Sequence, residues 1–260
     1  MIKLIFLILT LLTFSFAQNN SLRIMTYNIH HGEGIDSIID LSRIAQLIKD
    51  NEADLAAFQE VDKNVNRSHQ LDIMKILSDS TGMFFSFGKN IDYQGGDYGN
   101  GILSKYKIEK EANRHYKMLR EGEQRGLLQT FINIKGTKIL FMNTHIDFRK
   151  DDAERLQNVD EIIEVLNSNK NLPVIICGDF NDEPGSRTHK KMKEYFIDVW
   201  EYLNEEETGF SYPAENPVKR IDYIFISKNS LEILKPVSIK VLKSDASDHL
   251  PVIAEFELIN

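Results

Sequence analysis

Apolar residues in this chain gather in two kinds of run. Short stretches rich in β-branched and aromatic residues predict strands over 23–29, 55–59, 84–88, 101–104, 127–134, 138–143, 174–177, 221–226 and 251–256. Several are almost wholly apolar, as expected of strands covered on both faces. Between them the spacing turns helical. Asp40 is placed to cap a helix whose apolar face is Leu41, Ile44, Ala45, Leu47 and Ile48, and Asp151 to open another with Leu156, Val159, Ile163 and Leu166 on one stripe. A third helix is expected after Gln70. Helices alternate with strands in the first part, whereas strands follow one another through short turns such as Lys135-Gly136-Thr137 in the middle. That order predicts mixed β-sheets with helices packed outside them, an α/β class whose topology the pattern leaves open.

The first segment stands apart. Lys3 precedes an apolar run over 4–16, and Ser15-Phe16-Ala17 puts small residues at the two positions a signal peptidase reads. A signal peptide over 1–17, cut after Ala17, is therefore expected, with one domain over 18–260. A membrane anchor is the alternative, but the run is shorter than the roughly 20 residues that span a bilayer, and no cysteine follows it to take a lipid. The expectation is an exported protein, periplasmic or extracellular, with no stable membrane insertion after cleavage.

Composition adds limits. With 42% hydrophobic and 27% charged residues in 260, the chain is that of a folded globular protein with a sizeable core, and no repeat or Pro/Ser-rich linker divides it. Cys177 is the only cysteine, so no intramolecular disulfide can form, and its apolar neighbours point to a buried, inert thiol. A net charge of −8 gives no broad footprint for nucleic acid, which weakens a nuclease reading; a local basic loop would still suffice for one.

The polar chemistry is concentrated where predicted strands end. Asn28, Gln59-Glu60, Asn143-Thr144-His145, Gly178-Asp179-Phe180-Asn181 and Ser247-Asp248-His249 are far apart in sequence, yet strand ends can converge on one metal ion and one phosphate. Alone, Asn28 reads first as a turn residue before the polar run 30–34. Glu60 closes a nearly apolar strand and needs either water or a partner. Asp179 and Asn181, two apart after an apolar strand broken by Gly178, are expected on one face, a carboxylate to take a proton from water beside an amide to hold it; an ordinary turn is the alternative. His249 beside Asp248 reads as a surface pair or as the partner of Asp222, an aspartate inside an apolar strand that would orient the imidazole.

Taken together, Thr26-Tyr27-Asn28, Gln59-Glu60, Thr144-His145-Ile146-Asp147, Gly178-Asp179-Phe180-Asn181, Arg220-Ile221-Asp222-Tyr223 and Ser247-Asp248-His249, in this order, resemble the endonuclease/exonuclease/phosphatase superfamily. It contains deoxyribonuclease I, apurinic endonucleases, neutral sphingomyelinases and inositol-polyphosphate 5-phosphatases. The resemblance runs from Arg23 to Phe256. It implies a four-layered sandwich of two packed sheets flanked by helices, with the site at one end of the sheets. It also implies Mg²⁺ or Mn²⁺ held chiefly by Glu60, with Asn28 nearby and Asp248 as a further ligand. Such oxygen donors suit hard cations. Asp179 would orient or deprotonate the attacking water, assisted by Asn181, while His145 and His249 contact phosphate oxygens and Asp222 stands behind His249.

The substrate is less legible. A phosphorylated compound is expected, whether a small phosphodiester, a nucleic acid or a lipid headgroup, acted on by a monomer. No long apolar hairpin for entering a membrane and no basic tail for duplex DNA stand out, which ranks a general phosphodiesterase or phosphatase ahead of a nuclease, and a nuclease ahead of a sphingomyelinase. Asn100, in the glycine-rich stretch 93–101, either points into the site or lies in a turn. The basic stretch Arg114, His115, Lys117, Arg120 and Arg125 either meets an anionic substrate or is a solvated loop balanced by Glu111, Glu121 and Glu123. A silent phospholigand-binding member is expected to lose Glu60, Asp179 or His249, all present here. A two-metal phosphoesterase would use Asp182, but the other ligands such a site needs are missing.

Overall fold

The structure is a computed structural model that describes residues 20–204 and 208–259. The expected signal segment lies outside the described residues, and among these no helix is long and apolar enough to cross a membrane.

Among the described residues, twelve strands form two six-stranded sheets. They are β1 (Ser21–Asn28), β2 (Leu55–Lys63), β3 (Phe84–Tyr93), β4 (Gly96–Ser104), β5 (Ile108–His115), β6 (Gly126–Ile134), β7 (Thr137–His145), β8 (Val174–Asp179), β9 (Phe196–Asp198), β10 (Asp222–Ser227), β11 (Leu234–Val241) and β12 (Val252–Leu258). One sheet runs in the order β11-β12-β1-β2-β4-β3 and the other β5-β6-β7-β8-β10-β9. Each has one parallel pair at its centre, β1 with β2 and β7 with β8; the other neighbours are antiparallel. Each parallel pair is joined through a helix, α1 (Leu41–Asp50) in the first sheet and α3 (Ala153–Ser168) in the second, as a parallel crossover requires. α2 (Ile73–Thr81), α4 (Arg187–Tyr195) and the short α5 (Val199–Leu203) are the other α-helices of the described residues.

Alternation along the central strands explains their apolar sequences. Ile24, Phe141, Ile175 and Ile224 point between the sheets, whereas the next residues, Met25, Met142, Ile176 and Phe225, point outward to the helices. The outer face of the first sheet is covered by Ile44 and Ile48 of α1 and by Ile73 and Leu77 of α2. That of the second is covered by Val159 and Ile162 of α3 and Met192 of α4. The result is the expected four-layered α/β sandwich. Cys177 lies in the inter-sheet core, where burial pushes its thiol well above its ordinary value, as an inert thiol requires.

One polar device crosses that core. Gln59 Nε2 of the first sheet donates to Asn143 Oδ1 of the second at 2.7 Å, and Asn143 Nδ2 donates back to the Phe58 and Gly101 carbonyls at 2.7 and 2.8 Å. These amides fasten the two sheets directly beneath the strand ends that carry the polar motifs.

Some local expectations need correction. α1 is capped by Asp40, which accepts from the Ser42 backbone N–H at 2.9 Å. The helix expected at Asp151 has Asp152 in the cap position instead, and Asp151 pairs with Arg120 at 2.6 Å. Three strands had no sequence counterpart, and one of them, β9, is an edge strand of only three residues. β5 is an edge strand with mostly exposed or half-buried residues, and β11 is an edge strand whose register slips between Pro236 and Ser238, so neither carries a clean apolar alternation.

Candidate active site

Parallel pairing sets the C-terminal ends of neighbouring strands side by side. Asn28 ends β1 opposite Gln59, and His145 ends β7 opposite Asp179. β10 runs antiparallel to β8, so its first residue, Asp222, also pairs with Asp179. Ser247 Oγ donates to the Asn28 carbonyl at 2.8 Å, which ties the segment carrying Asp248 and His249 to the end of β1. Residues separated by more than 200 positions thus meet at one end of the sandwich.

Local backbone then aims them. β2 bulges between Phe58 and Val61, and Glu60 there has φ +58°, which turns its carboxylate out of the strand's alternation. β8 does not break at Gly178; a Cβ at that position would stand 2.0 Å from the Thr144 carbonyl oxygen, so glycine permits the close β7–β8 contact. Asp179 and Asn181 come together by a different route from the extended alternation expected. Asp179 Oδ1 accepts from the Asn181 backbone N–H at 2.9 Å, and Asn181 has φ +47°, a side-chain turn that folds it back over the aspartate.

A cavity of about 540 Å³ opens over these groups. Glu60, His145, Asp179, Asn181, Asp248 and His249 line it, while Asn28 and Asp222 stand behind them. Asn28 Nδ2 donates to Glu60 Oε1 at 3.0 Å and Asp179 Oδ2 at 3.1 Å. Asn28 therefore acts as a hub between the two carboxylates. Asp222 Oδ2 accepts from His249 Nδ1 at 3.0 Å and from Ser211 Oγ at 2.6 Å. Asn181 Nδ2 lies 2.9 Å from His145 Nε2, which is itself 3.5 Å from Asp179 Oδ2.

Electrostatics push the buried groups apart. Burial, with the charge of Asp222, raises the Asp179 carboxyl to about 7, partly offset by His249 and by hydrogen bonds from Asn181 and Asn28. Burial alone would lower His249, but the charge and hydrogen bond of Asp222, together with Asp179 and Asp248, outweigh it and bring the imidazole up to about 10. His249 is thus an imidazolium whose Nε2 lies 3.8 Å from Asp179 Oδ2. Burial and the nearby charges of Arg125 and His249 hold His145 well below the usual histidine range, so it is neutral. One cavity therefore holds a carboxylate able to take a proton near neutral pH beside a fixed positive charge.

The far wall was foreseen only in part, through the stretch 93–101 and Arg125. Arg67, held by Asp62 through hydrogen bonds of 2.8 and 2.9 Å, stacks over Tyr93 and Tyr98, and Arg125 lies over Phe148. All but Asp62 line the cavity. These residues come from loops and the β3–β4 hairpin, and no spacing in the sequence links them. Of the five residues in the basic stretch only Arg125 reaches the cavity; Arg114 pairs with Glu161 and Glu164, Arg120 with Asp151, and His115 hydrogen-bonds the Lys89 carbonyl. Asn100 lies in β4, where it donates to the Gly126 carbonyl at 3.1 Å rather than facing the cavity. Asp182 pairs with Arg155 at 3.1 Å, which removes the chief support for a two-metal reading.

The donor set fits a hard divalent cation. Glu60 has no cationic partner among the described residues, and it shares the cavity with the carboxylates of Asp179 and Asp248. Three carboxylates facing one cavity repel one another unless a cation or a proton joins them.

The sequence profile of the Endonuclease/Exonuclease/phosphatase family matches residues 25–249. The chain belongs to this family. Members hydrolyse phosphoester bonds and are generally dependent on divalent metals. The Escherichia coli K12 protein YbhP is 27% identical over 254 residues, covering 93% of this chain and 98% of its own. A DNA-(apurinic or apyrimidinic site) endonuclease of Dictyostelium discoideum is 23% identical, covering 90% of this chain and 70% of its own. The solved mannosyl-6-phosphatase Bt3783 of Bacteroides thetaiotaomicron shares the fold with a TM-score of 0.73 at 20% identity, covering 90% of this chain and 99% of its own.

Proposed function

We propose that this family member is an exported Mg²⁺- or Mn²⁺-dependent phosphoester hydrolase that uses one activated water. The observation that carries the reading is the opposed pair in the cavity, Asp179 raised to about 7 and His249 raised to about 10, within 3.8 Å of each other. Asp179 takes a proton from water as the water oxygen attacks phosphorus, and the ester P–O bond breaks with its electron pair going to the leaving oxygen, which takes a proton from solvent to depart as the alcohol. Asn181, fixed by its backbone bond to Asp179 and its side-chain contact with His145, holds that water in line. The His249 imidazolium, oriented by Asp222, faces the phosphoryl oxygens as negative charge shifts onto them. Glu60 would hold the cation with Asp248 alongside; when bound, it neutralises phosphate charge and lowers the barrier to attack.

The substrate has to suit a cavity whose lining carries six carboxylates, on Glu60, Glu123, Asp179, Asp182, Glu183 and Asp248, against the four cations Arg67, Arg125, Lys219 and the His249 imidazolium. Three of these cations are already paired, Arg67 with Asp62, Arg125 with Glu123 and His249 with Asp222. Such a lining favours a small phosphorylated compound over a polyanionic strand. The structural likeness to a sugar phosphatase agrees with that preference, and the similarity to an apurinic endonuclease keeps nucleic acid as the competitor.

The test is a Mg²⁺-dependent screen of the purified protein against DNA, RNA, sphingomyelin vesicles, sugar phosphates, inositol phosphates and chromogenic phosphodiesters. Hydrolysis of at least one, abolished by EDTA and restored by Mg²⁺ or Mn²⁺, is expected; no turnover of any would sink the reading. N-terminal sequencing of protein from its native host should find Gln18 first.

A further inference from the structure

The turn that follows β1 carries a feature the proposed function does not use. His30 and His31 both have left-handed backbones, φ +42° and +47°, a conformation that is uncommon outside glycine and rare in succession. The His30 backbone N–H donates to Asn28 Oδ1 at 3.2 Å, which helps hold that turn against the site. A ligating atom from each of His30, His31 and Glu60 lies within 4.8 Å of the others. His30 Nδ1 is also 3.9 Å from Asp248 Oδ1. His31 is 6% exposed, and its Nδ1 is buried with no hydrogen-bond partner. Burying a ring nitrogen without a partner is unfavourable, so it persists where something else satisfies it.

Neither of the other two clusters of similar spacing among the described residues has a buried ring nitrogen without a partner. Asp222 and His249 are already joined to each other and to Ser211. In the third, His189 and Asp198 are hydrogen-bonded, and Arg220 fills the position a cation would take. At the His30 turn the nearby guanidinium of Arg67 is neutralised by Asp62.

We propose that His30 and His31 join Glu60 in holding the catalytic divalent ion, so that two imidazoles and a carboxylate face it and the site prefers a first-row transition ion such as Mn²⁺ over Mg²⁺. This rests on the reading of Glu60 as a metal ligand and goes beyond it. Imidazole nitrogen is a favourable donor for first-row transition ions, whereas Mg²⁺ takes oxygen and keeps its waters. Strain in the turn then has a purpose, since two successive left-handed residues bring neighbouring side chains to one point.

Calorimetric titration of the purified protein with Mn²⁺ and separately with Mg²⁺, together with pulsed electron paramagnetic resonance of the Mn²⁺ complex, tests this without measuring turnover. The wild type should bind Mn²⁺ at least about tenfold more tightly than Mg²⁺ and show ¹⁴N coupling to the ion. His30→Gln and His31→Gln, which keep a polar side chain of similar reach, should each reduce the Mn²⁺ preference by about tenfold and remove part of the ¹⁴N signal. Absence of ¹⁴N coupling in the wild type, or an unchanged Mn²⁺/Mg²⁺ ratio in both variants, overturns the inference. If Glu60→Gln loses both metals while the histidine variants bind as the wild type does, the Glu60 reading stands and the histidine assignment alone falls. If the wild type binds neither metal, both fall.

Discussion

Two buried aspartate–histidine pairs in this molecule have nearly the same geometry and opposite surroundings. His249 and Asp222 are 3.0 Å apart at the cavity, and His189 and Asp198 are 2.9 Å apart between α4 and β9. At the second pair every group is occupied. His189 Nδ1 accepts from the Gly185 backbone N–H at 3.1 Å, and Asp198 takes bonds from Arg220 and from the backbone N–H groups that open α5. Burial would raise Asp198, but the hydrogen bond from His189 and the charge of Arg220 outweigh it and hold the carboxyl below the usual range. At the first pair one ring nitrogen remains free, facing a second carboxylate that burial has raised to about 7. A closed dyad stores stability, and an open one stores reactivity. Spacing alone does not separate them; the count of remaining donors and acceptors does.

The sharpest way to break this comparison is to remove the groups on the open side. Asp179→Asn and His249→Ala should each lower kcat per folded molecule by about 10²- to 10⁴-fold, the first with little change in melting temperature and the second with a lower one because Asp222 is left buried without its cation, and the double variant should lose far less than the product. Near-normal rates in either single variant, in steady-state kinetics run beside melting curves, would place the chemistry elsewhere. The closed side should respond the other way. Asp198→Ala leaves Arg220 buried without its main partner and removes the cap of α5, so unfolding in urea should show a loss of about 3–5 kcal/mol, while kcat per folded molecule stays within about threefold.

Glu60→Gln keeps the shape of the side chain but not its charge, and should weaken Mg²⁺ or Mn²⁺ binding by about 10- to 100-fold in calorimetry without unfolding the protein. Equal affinities would remove Glu60 as principal ligand. The pH dependence sharpens the contrast. Asp179 must be ionised to accept a proton and His249 protonated to supply charge, so the rate should rise about tenfold per pH unit up to about 7 and fall again above about 10. Stability runs differently at the two sites. Asp179, raised in the fold, contributes stability that is lost as pH climbs through about 7, whereas Asp198, lowered in the fold, contributes stability that is lost only as the medium turns acid. The smallest expected effect is at Ser211, whose hydroxyl shares the Asp222 oxygen with His249. Ser211→Ala should lower kcat by about 3- to 10-fold at unchanged KM, and Ser211→Thr should restore it. A change in KM alone would make Ser211 part of the substrate wall.

Much of the open site was legible because its residues sit where strands end. Asn28, Glu60, His145 and Asp179 each interrupt an apolar run, and polar residues at such points stand out against their neighbours. Ser211 and Arg67 were not legible: a serine in a loop and an arginine after Val65-Asn66 gain meaning only from what folds against them. The closed dyad was missed for the same reason, since His189 lies on a helix with basic neighbours and Asp198 reads as a helix cap, which it also is. In the fold, the central strands were visible through their unbroken apolar character, and β5 was not, because Glu109, Lys110 and Glu111 on a sheet edge look like a loop. The carboxamides Gln59 and Asn143 belong to motifs that stood out, yet their work lies between the sheets and not in the cavity.

That amide fastening bears on how such a molecule can diversify. The carboxylate of Glu60 rides on one sheet and that of Asp179 on the other, and the spacing between the two halves is fixed by bonds of 2.7 and 2.8 Å beneath them. The loops that carry Arg67, Arg125 and Phe148, and the tip of the β3–β4 hairpin that carries Tyr93, supply none of these bonds, although β4 does so further along at Gly101. They can be lengthened, shortened or rewritten while the reacting groups keep their separation. A lineage built on this frame can therefore acquire a new diet by redrafting its rim, inheriting the chemistry unchanged.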